Sequence, residues 1–91
     1  MSVRAKFKVQ RIECTETMKV VMSESDRPRH ERVELRTIVL SPVYSSDPAH
    51  ENHRFWDASP SGEIKLGTVN PHAWEAFVLG GEYYVTFDKA E

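Results

Sequence analysis

Residues of one polarity class recur every second position along much of this chain, and that period admits strands and little else. Val3, Ala5, Phe7 and Val9 alternate with Arg4, Lys6, Lys8 and Gln10. Ile12 falls out of that phase, so the first strand ends or bulges near Arg11. Glu13 to Glu16 reads as a polar turn, and Thr17–Met22 as a second strand with Met18, Val20 and Met22 inward. The two form a predicted hairpin. Val33–Val43 begins as an alternating strand and becomes continuously apolar at Ile38, Val39 and Leu40, the pattern of a strand buried on both faces. Glu63–Leu66 alternates again, and so does Tyr83–Phe87, with Tyr83, Val85 and Phe87 on one face and Tyr84 and Thr86 on the other.

The intervening stretches carry turn chemistry. SESDRPRHER, residues Ser23 to Arg32, is polar and aperiodic and reads as a loop, as does YSSDPAHENHR from Tyr44 to Arg54. Ser59-Pro60-Ser61-Gly62 is a turn. Asn70 is a favoured N-cap followed by Pro71 at the first helical position, and Trp74, Phe77 and Val78 share a helical face, which predicts a short helix over Asn70–Leu79 ended by Gly80 and Gly81.

The resulting expectation is a single mainly β (α+β) domain over residues 1–91. It is a small curved antiparallel sheet or partly open barrel of about five strands, with one short helix before the last strand. A chain of 91 residues buries one modest core, and its nine aromatics help to fill it.

Charge and cysteine narrow the function classes. The net charge of −2 is unevenly spread: residues 1–36 carry nine Lys/Arg and six Asp/Glu, and residues 37–91 carry three and eight. A phosphate-gripping protein is ordinarily more basic. The lone Cys14 forms neither an intramolecular disulfide nor a thiolate metal site, which fits a reducing compartment. No apolar run has the length of a membrane span or signal core, so the expected location is cytoplasmic, with no membrane partner.

No phosphate loop, dinucleotide fingerprint or nucleophile elbow is present. Cys14 lies between Glu13 and Glu16, which disfavours a thiolate. The expectation is a non-enzyme without cofactor or metal. Three constellations remain. Asp47, His50, Glu51, Asn52 and His53 form the densest polar cluster; His50 and His53 could share a metal on a helical turn, but a solvated loop accounts for them more simply. Arg4, Lys6 and Lys8 lie on one strand face, with Tyr84 available for stacking, which outlines a nucleic-acid surface; ordinary solvation of an outer face explains the same pattern. Tyr44, Phe55 and Trp56 are aromatics beside a loop, with Phe55 expected in the core and Trp56 partly exposed as a binding anchor.

The segments LSPVYSSDPAHENHRFW, ASPSGEIKL, NPHAWEAF and GGEYYVTF, with RAKFKV near the start, resemble a family of short proteins encoded by tailed bacteriophages. The resemblance runs from Leu40 to Phe87, and Ser23 to Arg32 looks like an insertion relative to it. It implies a viral origin and expression in a bacterial cytoplasm, and assigns no catalytic residue. The functional expectation is an accessory binding module for a host or phage protein through Tyr44, Asp47, His50, Glu51, Asn52, His53 and Trp56. Nucleic-acid binding through Arg4, Lys6, Lys8 and Tyr84, sequestration of a small nucleotide ligand, and a role as a virion accessory component are the alternatives.

Overall fold

A computed structural model describes residues 3–22, 27–45, 47 and 49–91. Its elements in order are β1 (Val3–Met22), β2 (Pro28–Pro42), α1 (Glu51–Trp56), β3 (Ile64–Thr68), α2 (Pro71–Trp74) and β4 (Glu82–Phe87). All pairing is antiparallel in one open sheet of order β3-β2-β1-β4. The expected class therefore holds, with four strands in place of five and without closure into a barrel.

The strand count falls because the anticipated turn at Glu13 to Glu16 is strand. Val9 pairs with Leu40 and Arg11 with Val39, so Gln10 is the extra residue of a β-bulge. One extra residue reverses the phase of every side chain beyond it. Ile12 opposes Ile38 and rejoins the face of Ala5, Phe7 and Val9, and β1 continues unbroken to Met22. Residues Pro28–Arg32, expected in a loop, pair with Met18–Met22; Pro28 is tolerated as the first residue of its strand. Of the remainder of that loop, Arg27 is exposed and outside any strand, and residues 23–26 lie outside the described residues.

The core is small. Ala5, Phe7, Val9, Ile38 and Leu40 are buried together, and Ile12, Trp56, Ile64, Trp74, Phe77, Tyr83 and Val85 pack against them. Val39 is buried on the opposite face, as the continuous apolar run requires. β1 pairs with β4 only from Val3 to Lys8, and β2 pairs with β3 only from Arg36 to Leu40. Beyond these limits Thr15–Met22 and Pro28–Leu35 form a two-stranded arm. The arm gives the molecule extents of 59 × 32 × 18 Å and a radius of gyration of 17.6 Å, against about 12 Å for a compact chain of this length. Met18, Val20 and Met22 do lie on the core face, yet no element among the described residues covers them, and they are 54%, 55% and 63% exposed. The inward placement expected from their period is thus corrected: the period fixed the face and said nothing about a cover.

Two short helices are present where one was expected. α1 arises inside the supposed loop Tyr44 to Arg54. The Asp47 side chain accepts from the Ala49 N–H (2.9 Å), and His50 caps the helix by accepting from the Asn52 N–H (3.1 Å). α2 has the expected Asn70 cap and Pro71 but stops at Trp74. Further along, the Tyr83 hydroxyl accepts from the Val78 N–H and donates to the Ala76 carbonyl, both at 2.9 Å, which diverts groups that a longer helix would pair internally. Gly80 then takes φ +81°, and Gly80 and Gly81 bond to Val9 across the sheet.

α1 is held to the sheet by Asn52, the one fully buried polar side chain among the described residues. Its Oδ1 accepts from the Lys6 N–H (2.6 Å), and its Nδ2 donates to the carbonyls of Lys6 (2.7 Å) and Val43 (2.8 Å). The side-chain amide thereby continues the ladder on β1 where β2 ends. Asn52→Ala removes the partner of the Lys6 N–H and of the Val43 carbonyl, while the Lys6 carbonyl keeps the Val43 N–H at 3.0 Å; each buried group left unpaired costs about 1–3 kcal/mol before relaxation. A loss of about 2–4 kcal/mol is expected in urea unfolding, read as a lower midpoint at unchanged slope. Asn52→Asp should be no milder at neutral pH, because it sets a carboxylate against two carbonyl oxygens.

Candidate functional site

The polar cluster does not converge. Asn52 faces inward and uses its amide on the backbone, so it presents nothing to a partner. Asp47 and His50 shape the approach to α1 through the bonds given above. His53 instead lines a shallow open cleft with Tyr44, Ser45, Ala58 and Ser59, of about 240 Å³. Tyr44 is 70% exposed there. Among the described residues, no group of three or more His, Cys, Asp and Glu is arranged to hold a metal ion.

Trp56 is half-buried. Its ring meets Phe7 edge-on at 6.1 Å and its Nε1 donates to the Ser61 carbonyl at 2.8 Å, which ties α1 to the turn before β3. Phe55, expected in the core, is 46% exposed and leans on Trp56 at 4.4 Å between ring centroids. The two exchange roles because the stretch is helical: α1 presents Trp56 to the sheet and leaves Phe55 on the rim, whereas an extended chain would alternate them.

The basic strand face is assembled as the alternation predicted, but its groups are engaged with one another. The Arg4 guanidinium sits over the Tyr84 ring at 3.7 Å and the Lys6 ammonium at 5.1 Å from its centroid. Lys6 also lies 3.9 Å from Glu82. A base stacking on that face of Tyr84 would have to displace Arg4. Lys8 is exposed on the same strand face.

Beside this face, Glu51, Arg4, Arg54, Val3 and Phe55 line another open cleft. The Glu51 carboxyl is held below its ordinary value of 4.5. Its own backbone N–H in the first turn of α1 is the main cause; burial opposes it, and the Tyr84 hydroxyl, His50 and Lys6 assist. Oε1 is shielded from solvent and has no hydrogen-bond partner among the described residues.

The sequence reading missed two apolar surfaces. One is the arm stripe Met18, Val20 and Met22, which it assigned to the core. The other is a hollow of about 590 Å³ on the core face, lined by Leu40, Ile64, Leu66, Phe77 and the length of β4 from Tyr83 to Phe87. Leu66 and Phe87 are 45% and 50% exposed at its mouth. The signal lay in the alternation of five segments against a single short helix: one such helix cannot cover every inward face.

No helix among the described residues is long and apolar enough to cross a membrane. No family model, curated protein or solved structure matches the chain.

A carboxyl lowered in the folded state stabilises the fold above its unfolded value, and that contribution disappears as pH falls through the folded value. The stability advantage of the native chain over Glu51→Gln should therefore be constant above pH 4.5 and shrink below it. Urea midpoints measured across an acidic pH series for both chains test this.

Proposed function

We propose that this chain is a non-catalytic binding module whose partner is a protein, engaged through the β1–β2 arm. The observation that carries the reading is the exposure of Met18, Val20 and Met22 in one row at the far end of a ribbon that has no third strand among the described residues. An isolated two-stranded ribbon is at best marginally stable. Exposed apolar side chains in a continuous row mark interaction surfaces more often than singly scattered ones. Among the described residues the arm also leaves both its edges open to strand addition, a common mode of peptide and protein recognition.

The surface first expected to bind, Tyr44 to Trp56, is a weaker candidate on the same criteria. Asn52 and Trp56 are committed to holding α1 in place, which leaves Tyr44 and His53 around a shallow cleft. Nucleic-acid binding is the poorer alternative because Arg4 and Lys6 are already paired with Tyr84 and Glu82. The phage-accessory assignment rests on the sequence resemblance alone.

The test compares the native chain with Met18→Asp/Val20→Asp as bait in a bacterial lysate, alongside oligonucleotide binding at low and high salt. The double variant alters exposed side chains only, so its melting temperature should stay within a few degrees of the native value. Protein capture by the native chain and its loss in the variant are expected. Capture indifferent to the arm changes would count against the reading. So would salt-sensitive oligonucleotide binding abolished by Lys6→Glu/Lys8→Glu, which would favour the alternative.

A further inference from the structure

We propose that the open cleft between α1 and the start of β1 binds a nucleoside monophosphate, its phosphate shared by Arg4 and Arg54 and its base laid against Phe55. The site lies apart from the arm. It adds a small ligand to the module and does not rest on the arm's partner.

Two arginines fifty residues apart meet in this cleft of about 400 Å³, with Val3, Glu51 and Phe55 as the other walls. That size falls within the roughly 300–1,000 Å³ of small-ligand pockets. The meeting is built into the fold. Asn52, wholly buried, fixes α1 to the backbone of Lys6 and so sets Arg54 across from Arg4. Arg4 is positioned in turn: its guanidinium lies over the Tyr84 ring at 3.7 Å, and the Tyr84 hydroxyl donates to the Glu51 carboxylate.

Neither guanidinium is spent. Stacking occupies one face of Arg4 and leaves the N–H donors around its edge, which no hydrogen bond or ion pair engages among the described residues. The stack blocks a base from Tyr84 but leaves an anion free to approach in the guanidinium plane. The Arg54 side chain is exposed and makes no hydrogen bond, ion pair or ring contact among the described residues. Glu51 lines the same cleft yet pairs with neither arginine; its ion-pair contact is with His50, at 3.9 Å, and its Oε1 is shielded from solvent.

The forks of two guanidinia match the oxygens of one phosphate. A phosphate monoester carries about −1.5 to −2 at neutral pH, which two arginines balance. Glu51 opposes the further charge of a polyphosphate chain. The remaining wall is apolar: Phe55 is 46% and Val3 39% exposed, and Trp56 backs the Phe55 ring at 4.4 Å. Inorganic phosphate would leave that wall in water, and a nucleoside would leave both arginines without an anion. A flat base joined to one phosphate answers both.

The four common nucleoside monophosphates, their nucleosides, inorganic phosphate and a short single-stranded oligonucleotide are compared by thermal shift and by calorimetric titration on the full chain. At least one monophosphate should bind, about tenfold or more tighter than its nucleoside or inorganic phosphate. Arg54→Ala and Arg4→Ala should each weaken it by about tenfold or more. Both residues are exposed, and circular dichroism confirms the fold. Phe55→Ala should bring the monophosphate down toward inorganic phosphate. Met18→Asp/Val20→Asp should leave it unchanged.

No binding of any monophosphate at millimolar concentration would overturn the proposal. So would inorganic phosphate binding as tightly as the monophosphates, which would reduce the cleft to a simple anion site. Binding indifferent to Arg54→Ala would place the ligand elsewhere and overturn it too. Loss of binding in the arm variant would also overturn it. An oligonucleotide that binds where single nucleotides do not would give Arg4 to the nucleic-acid reading. None of these results removes protein capture through the arm, which its own variants decide.

Discussion

The β-bulge at Gln10 organises the rest of the molecule. Before it, the apolar residues of β1 are odd-numbered: Ala5, Phe7 and Val9. After it those on the core face are even-numbered, Ile12, Met18, Val20 and Met22, while Val21 takes the other face. A regular strand would have placed these sets on opposite faces of the sheet. The extra residue puts them on one face, so a single strand supplies both the floor of the core and the stripe on the arm. It also falls where β1 parts from β4, and bulges commonly end pairing in this way.

Beyond the bulge the arm is ordered by cross-strand pairs. Glu16 and Glu34 stand directly opposite, an arrangement that would repel if isolated. Arg32 reaches Glu16 at 3.8 Å and Arg36 bonds to Glu34, so the two carboxylates sit in a lattice of alternating charge. Arg36 also lies over the Trp74 ring at 4.5 Å and so links the base of the arm to α2. On the other face Thr15 opposes Leu35, Thr17 opposes Val33, and Lys19 opposes Glu31. These exposed pairs each contribute little, about 0.2–1 kcal/mol. They suffice to choose a register but not to hide Met18, Val20 and Met22.

What the sequence disclosed and what it withheld follow from the same physics. Period-two alternation correctly placed Val3–Val9, Ile64–Leu66 and Tyr83–Phe87, because such a pattern has few alternatives when one face is buried, and the continuous run Ile38–Leu40 correctly marked a strand buried on both faces. It misread Glu13 to Glu16 as a turn, since a polar run within a strand looks like a loop unless a partner strand is known to oppose it. It misread Tyr44 to Arg54 for a related reason. The stretch is polar, yet its polarity serves internal bonding: Asp47 and His50 begin α1, and Asn52 is drawn wholly inside by the backbone groups of Lys6 and Val43. Composition cannot separate a polar residue that faces water from one that completes a hydrogen-bond ladder. The residues with the strongest chemical appearance were therefore mostly structural.

The two apolar surfaces pose a common problem of open sheets. An unclosed sheet leaves two edges, and natural proteins usually blunt them with charge, proline or a covering segment. Here Glu63, just before β3, and Lys65 within it bond to each other at 3.4 Å. β4 turns Glu82 and Tyr84 outward, but on its inner side it offers Val85 and Phe87 beside a hollow that neither α2 nor the segment after it fills. If that edge had no occupant, the simplest repair would be a charge at Phe87 or Leu66, both already half in water. At Met18 and Val20, more than half exposed, the same repair would disturb almost no packing. The chain keeps apolar side chains at all four positions, where burial within one copy gains them little. On the reading proposed above, that gain comes from the surface of a bound protein.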